Sequence, residues 1–175
     1  MFDEWLGLSK LPKNEARMLL QYASGYTRVQ LLTRGGEEIP DEVRQRADRL
    51  AQRRLSGEPM AYILSVREFY GRRFAVNPHV LIPRPETEHL VEAVIEHLPV
   101  NGQVWDLGTG SGAIAVTVAL ERVDADVRAS DISVGALDTA RQNAAELGAK
   151  VEFAQGSWFD TDRPSEGRYD VIVSN

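Results

Sequence analysis

Val104-Trp105-Asp106-Leu107-Gly108-Thr109-Gly110-Ser111-Gly112-Ala113-Ile114-Ala115-Val116-Thr117-Val118-Ala119 is the stretch whose reading decides the fold. Val104 to Leu107 reads as a short buried strand. Gly108, Gly110 and Gly112 break it, and Ala113 to Leu120 reads as a nearly all-apolar helix. A strand, a glycine turn and a helix in that order form the first unit of a nucleotide-binding α/β sheet. The glycines let the backbone turn tightly and let a ligand approach with no Cβ in the way.

The spacing Gly108-x-Gly110-x-x-Ala113 satisfies the dinucleotide fingerprint loosely. Two features point to a different nucleotide. Gly112 adds a third alternate glycine, and the carboxylate of Asp106 ends the strand two residues before the first. An acid there suits a cationic ligand group better than a pyrophosphate. Asp106-x-Gly108-x-Gly110-x-Gly112 resembles the first motif of the S-adenosylmethionine-dependent methyltransferases, whose cofactor carries a sulfonium and an ammonium.

Composition narrows the classes further. A chain of 175 residues is one large domain or two small ones. It has no cysteine, which excludes disulfides, thiolate catalysis and cysteine metal sites, and predicts a cytoplasmic protein. His79, His89 and His97 are scattered and give no metal spacing, so no metal is predicted. There is no run of eighteen apolar residues, hence no predicted membrane span. Met1 to Leu11 carry Asp3 and Glu4 and do not read as a signal peptide. Charge is uneven: residues 1–84 hold 14 Lys/Arg and 10 Asp/Glu, whereas residues 85–175 hold 6 and 16. The acidic half is a poor nucleic-acid binder, because phosphate neutralisation dominates that affinity. The front half's Arg44, Arg46, Arg49, Arg53 and Arg54 read most simply as one solvated helix face.

Taken in order, residues 1 to about 65 read as a small helical bundle. Phe2–Leu8 is a short helix, and in Asn14–Ser24 the residues Ala16, Leu19, Leu20 and Ala23 share one stripe. Thr27 caps a third helix that stops at Gly35-Gly36. Asp41–Ser56 is the clearest helix of this half, and Pro59–Leu64 is one more short turn. The period then changes. Glu68-Phe69-Tyr70, Gly71-Arg72-Arg73 and Phe74-Ala75-Val76 read as a β-hairpin. Val80–Ile82 is extended, Pro83 and Pro85 bracket Arg84, and Thr87–Leu98 is a helix.

Past the glycine helix, Val127–Ser130 reads as a second strand with Asp131 at its end, 23 residues beyond Gly108. An acid near that offset accepts the two ribose hydroxyls in a βαβ nucleotide site. Asp131 is equally placed to cap the helix Ser133–Leu147, and both roles are compatible. Val151–Ala154 is a third strand, followed by Trp158, which is either a stacking platform for a purine or core. Tyr169–Ser174 is a fourth strand.

Four stretches converge on one family. They are Arg67-Glu68-Phe69-Tyr70, Leu81-Ile82-Pro83-Arg84-Pro85-Glu86-Thr87-Glu88, Asp106 to Ala115, and Ile172-Val173-Ser174-Asn175. Along its whole length the chain resembles the release factor glutamine methyltransferases, which methylate the glutamine side-chain amide of the Gly-Gly-Gln motif in peptide chain release factors. The Ile82–Glu88 stretch is specific to that family; the glycine motif is shared by the methyltransferase class.

The resemblance implies an α/β fold: an N-terminal helical bundle (1–65) that docks the substrate, a β-hairpin connector (66–85), and a partial Rossmann-like class I methyltransferase sheet (86–175). It implies S-adenosylmethionine as cofactor, with Gly108, Thr109, Gly110, Ser111 and Gly112 around its methionine part. Asp106 would stand near the amino group, Asp131 on the ribose and Trp158 beside the adenine. Asn175 would touch both cofactor and substrate as the first residue of an Asn-Pro-Pro-Tyr motif that holds the substrate amide. Leu81 and Arg84 would sit near the pocket mouth, Leu81 toward the substrate. Where many methyltransferases have an acid beside the adenine, this chain has Ser157. Pro-Pro-Tyr does not follow Asn175, and the chain is read as truncated, an inactive fragment. Its residues Val173–Asn175 are then expected to fray or to pair with another copy through the open sheet edge. The alternatives are an amino-group methyltransferase acting on DNA or RNA, and a non-catalytic cofactor-binding module.

Overall fold

The computed structural model describes residues 1–161 and 169–175. The chain divides into two compact units, Met1–Leu64 and Ser65–Asn175.

The first unit is all helical: α1 (Phe2–Leu8), α2 (Lys13–Ser24), α3 (Arg28–Thr33), α4 (Asp41–Leu55) and α5 (Met60–Leu64). The apolar stripes of α2 and α4 meet, burying Leu19, Leu20, Ala47 and Leu50 with Phe2, Trp5, Leu31 and Ile63. Two polar ties fix the packing. Trp5 Nε1 donates to Asp48 Oδ1 at 2.7 Å, and Arg54 forks onto Glu15 at 2.7 and 3.1 Å. Thr27 and Gln30 form a capping box at the start of α3, which ends at Thr33, ahead of the Gly35-Gly36 stop read from sequence.

The second unit opens with an antiparallel hairpin, β1 (Val66–Phe69) and β2 (Arg72–Ala75). Its turn is Tyr70-Gly71, with φ of +51° and +70°. Two successive positive φ values match the right-handed twist of the strands. Arg72 and Arg73, grouped with the turn from sequence, therefore lie in the second strand. Val80–Ile82 joins no sheet. A single 3₁₀ turn, Pro85–Thr87, leads into α6 (Glu88–His97).

The sheet follows: β3 (Gln103–Leu107), α7 (Ala113–Glu121), β4 (Asp126–Asp131), α8 (Val134–Leu147), β5 (Glu152–Gln155) and β6 (Val171–Ser174). Its strands are parallel in the order β5-β4-β3-β6. Parallel strands are covered on both faces, which is why Val104, Trp105 and Leu107 are all buried although they alternate along β3. The nearly all-apolar α7 fits the same picture, with Ala113 to Val118, Thr117 included, buried on every side. The order reverses at β3, since β4 and β5 lie to one side and β6 to the other. The carboxyl end of β3 is thus a topological switch point, where open α/β sheets bind ligands.

The fourth strand is shorter than read from sequence, starting at Val171. Tyr169 instead stacks its ring 4.9 Å from that of Trp105, and Asp170 N donates to Gln103 O. Nor are its last residues frayed. Val173 is buried, Ser174 Oγ donates to Leu107 O at 2.8 Å, and Asn175 Nδ2 donates to Thr87 Oγ1 at 3.0 Å.

Candidate active site

The glycine loop is built by the ends of β3 and β4. Gly108 N and Thr109 N both donate to Ser130 O at 2.9 Å, and Gly112 N closes the turn on Thr109 O at 2.8 Å. Asn143 of α8 donates from Nδ2 to Ser111 O at 2.8 Å. The glycines serve two purposes. A Cβ on Gly112 (φ +79°) would stand 3.1 Å from the Ala140 Cβ, so this residue lets α8 approach the loop. A Cβ on Gly108 or Gly110 would meet nothing within 4 Å, so these two leave open space on the cleft side. That opening is what a ligand lying along the loop requires.

Asp106 sits under the loop with only 1% of its surface exposed. Its Oδ2 accepts from Thr109 Oγ1 at 2.7 Å and from Ala115 N at 3.3 Å. Burial pushes its carboxyl up to about 6, the two hydrogen bonds pull it back, and the charge of Asp131 adds to the rise. An acid in this condition is poised to receive a cation.

Asp131 ends β4, and each of its oxygens already holds one backbone donor. Gly110 N reaches Oδ2 and Ser133 N reaches Oδ1, both at 2.9 Å. The helix cap itself is Ser133, whose Oγ accepts from Ala136 N. A carboxylate offers roughly four lone-pair sites, so Asp131 retains capacity for two more donors.

These groups meet in one cleft with two chambers. A smaller one, of about 50 Å³, is lined by Leu81, Pro83, Thr87, Asp106, the loop and Asn175. A larger one, of about 310 Å³, is lined by Asp131, Ile132, Gly156, Ser157, Trp158 and Asn175. Gly108 and Asn175 line both and form the partition. The larger volume lies at the low end of the range for small-molecule sites. Trp158 is 65% exposed at its wall and has φ +46°. A non-glycine residue in that region is held there at a cost of about 1–3 kcal/mol, a cost that clusters at ligand sites. Its ring is therefore displayed to the cleft and is not core.

The cleft thus gathers Asp106, Gly108 to Ser111, Asp131, Trp158, Asn175 and Leu81. Gly112 lies behind the loop against α8. Arg84 is exposed and does not line the cleft. Sequence reasoning missed Thr87 as a site residue, because its partner Asn175 lies 88 positions away. It also missed Asn143, whose contacts to Ser111 O and to Ala75 N and O join loop and hairpin. Among the described residues no group of three or more metal-capable side chains gathers, and no helix is long and apolar enough to cross a membrane.

Residues 86–175 match the family model described as Methyltransferase small domain, and residues 7–64 match the PrmC N-terminal domain. The chain is 83% identical over 174 residues to a release factor glutamine methyltransferase of Neisseria gonorrhoeae, covering 99% of this chain and 64% of that protein. It is 48% identical over 167 residues to the protein of the same name in Bordetella pertussis, covering 94% and 62%. The chain therefore spans just under two thirds of the length of these curated relatives. In fold it is similar to the tRNA (uracil-54, C5)-methyltransferase of Pyrococcus abyssi, solved with S-adenosyl-L-homocysteine. That match has a TM-score of 0.50 and 19% identity, over 61% of this chain and 26% of that one.

Proposed function

Because this chain belongs to the Methyltransferase small domain family, we propose that its cleft binds S-adenosylmethionine and that the protein methylates the glutamine side-chain amide of peptide chain release factors. The observation that carries this reading is the meeting of Asp106, Asp131 and Asn175 around Gly108. The 83% identity to a release factor glutamine methyltransferase supports the substrate class.

The cleft fits the cofactor group by group. Gly108 to Gly110 leave room along the loop for the methionine part, and buried Asp106 faces its ammonium. Asp131 accepts the ribose hydroxyls, and Trp158 stacks on the adenine, with Ser157 beside it where an acid is absent. The cofactor supplies an electrophilic methyl on a sulfonium. This chain's residues supply binding and orientation.

An amide nitrogen is a poor nucleophile, because its lone pair is delocalised into the planar C–N bond. A hydrogen bond from the substrate NH2 to the Asn175 side-chain oxygen fixes the amide plane and favours lone-pair density on nitrogen. Asn175 stands at the partition between the chambers, so an amide held there lies beside the cofactor's reacting end. Holding the two in line is an orientation effect worth up to several kcal/mol. We assign the N-terminal helical unit, residues 1 to about 65, to docking the release factor, and place the protein in the cytoplasm with no nucleic-acid substrate.

The test is a methylation assay with radiolabelled cofactor on the chain extended to the length of its curated relatives, offering a release factor and a duplex DNA side by side. Label in the glutamine of the release factor is the expected result. Label in the DNA alone would replace this reading with amino-group methylation of nucleic acid.

A further inference from the structure

We propose that Thr87 is a positioning residue that holds the Asn175 amide by its nitrogen end, and that the Ile82–Glu88 stretch exists to place it. The proposal rests on the reading that Asn175 holds a substrate amide.

The geometry has three parts. Asn175 Nδ2 donates to Thr87 Oγ1 at 3.0 Å. An Asn side chain has a donor end and an acceptor end, so with Nδ2 engaged by Thr87 the acceptor Oδ1 is the end left for a ligand. A substrate NH2 is a donor and needs that acceptor. The reversed side chain would set NH2 against NH2, two donors with no acceptor between them.

The second part is that this hydroxyl is not occupied by its customary task. Thr87 stands immediately before α6, where a threonine ordinarily caps the helix with its side-chain oxygen. Here it makes no cap hydrogen bond; its backbone is already helical, with φ −68° and ψ −19°. The hydroxyl turns instead to a residue 88 positions away. Thr87 is only 6% exposed, so water is a poor replacement for the bond.

The third part is the bracket that holds Thr87. Pro83 is buried in the cleft wall, and Thr87 N donates to Arg84 O at 3.0 Å to close the turn after it. Glu88 reaches back with Oε1 to accept from Tyr70 N at 2.9 Å, tying the stretch to the hairpin turn. Asn175 is held from the other side, because Ser174 pairs with Leu107 and bonds its carbonyl. Main chain on β3 and side chain on Thr87 together hold Asn175 from two sides.

Nuclear magnetic resonance of the ¹⁵N-labelled chain tests the bond itself. Exchange of the Asn175 side-chain NH2 protons with solvent should be at least tenfold slower than for the amide of Asn14. The protection should vanish in Thr87→Val and return in Thr87→Ser. Turnover is then measured on the chain extended to the length of its curated relatives. Thr87→Val should lower kcat at least tenfold with KM for the release factor and Kd for the cofactor within twofold of wild type, and Thr87→Ser should restore most of it. An Asn175 amide that exchanges as fast as Asn14 overturns the proposal. So does a Thr87→Val enzyme within twofold of wild-type turnover, or one that loses cofactor affinity in parallel with kcat and is not rescued by serine. A wild-type enzyme that methylates no release factor sinks the functional reading instead, and the exchange measurement still decides the Thr87 bond.

Discussion

At the scale of single residues, Asp106 sets a stability cost against a binding gain. Its carboxyl is raised from the ordinary 3.8 to about 6, first by burial. A folded pKa above the unfolded one means that the fold prefers the proton. The contribution to stability is complete below about pH 4 and is lost as pH rises through about 6. The loss amounts to about 3 kcal/mol for a shift of this size. A cationic group in the cleft reverses the preference, because it favours the ionised acid. Asp106→Asn is therefore expected to raise the melting temperature of the unliganded chain at pH 7.5, by the equivalent of about 1–3 kcal/mol. It should also remove that part of the stability change between pH 4 and 6, and weaken S-adenosylmethionine at least tenfold by calorimetry. Melts of mutant and wild type at pH 4.5 and 7.5 give the difference directly; no change in the difference would mean that the acid is solvated. Asp131 is partly exposed, and its oxygens accept at 2.9 Å from Gly110 N and Ser133 N. Asp131→Ala loses the diol acceptor and loosens the loop together, so cofactor binding should weaken by about 1.5–3 kcal/mol. An unchanged dissociation constant would remove Asp131 from the ribose.

Among the elements, α7 and α8 approach each other through a glycine. Gly112 and Gly148 have nearly the same φ, +79° and +75°, but a Cβ on Gly112 would press on Ala140 and Val116 at 3.1 and 3.2 Å, and one on Gly148 meets nothing. Alanine at 148 should cost only the left-handed backbone penalty, roughly 1–2 kcal/mol. Alanine at 112 should cost that plus overpacking, roughly 1–3 kcal/mol more. Urea denaturation of the two variants separates the terms, and equal losses would mean that the helices give way easily. The contrast also shows what a sequence can reveal. The strand, glycine loop and helix at 104–119 were legible because every residue that makes them is contiguous and their periods differ. The hairpin was legible as a pair of strands, but its turn at Tyr70-Gly71 was not, since a tyrosine at positive φ carries no signature. Asp106 and Asp131 could be picked out by their offsets from Gly108, and Trp158, as one of two readings, by its place after the third strand. Thr87 could not, because its local pattern reads as a helix start and only the pairing of β6 with β3 brings Asn175 to it. The same pairing leaves β6 with β3 as its one strand neighbour among the described residues, and Ile172 is 49% exposed. An apolar strand edge is a template for another chain. Sedimentation of this 175-residue chain should show concentration-dependent association, reduced by Ile172→Lys; a monomer at all concentrations would mean that the edge is covered.

For the molecule as a whole, the question is whether the helical unit is a module in its own right. The unit boundary at Leu64 changes the charge argument. Arg67, Arg72, Arg73 and Arg84, which made the front of the chain look basic, all lie beyond it. Residues 1–64 hold 10 Lys/Arg against 9 Asp/Glu, so they are close to neutral. The proposed docking of a protein substrate by this unit would then draw little from net charge. Its interior is self-sufficient in kind. Phe2, Leu19, Leu20 and Ile63 are at most 2% exposed, and two polar ties, Trp5 to Asp48 and Arg54 to Glu15, lie within the unit. At this length a single core supplies only a few kcal/mol. Residues 1–64 made alone should fold and melt cooperatively, with a stability of about 2–4 kcal/mol. Trp5 is the one tryptophan in that stretch and is 6% exposed, so its fluorescence reports the transition without interference. Asp48→Ala should lower the midpoint, since it strands a buried indole N–H at a cost of about 1–3 kcal/mol. A solvent-exposed Trp5 in the isolated unit, or a broad non-cooperative melt, would show that the helices need the rest of the chain. The bundle would then be a support for the fold, and its assignment as the docking module would fall with it.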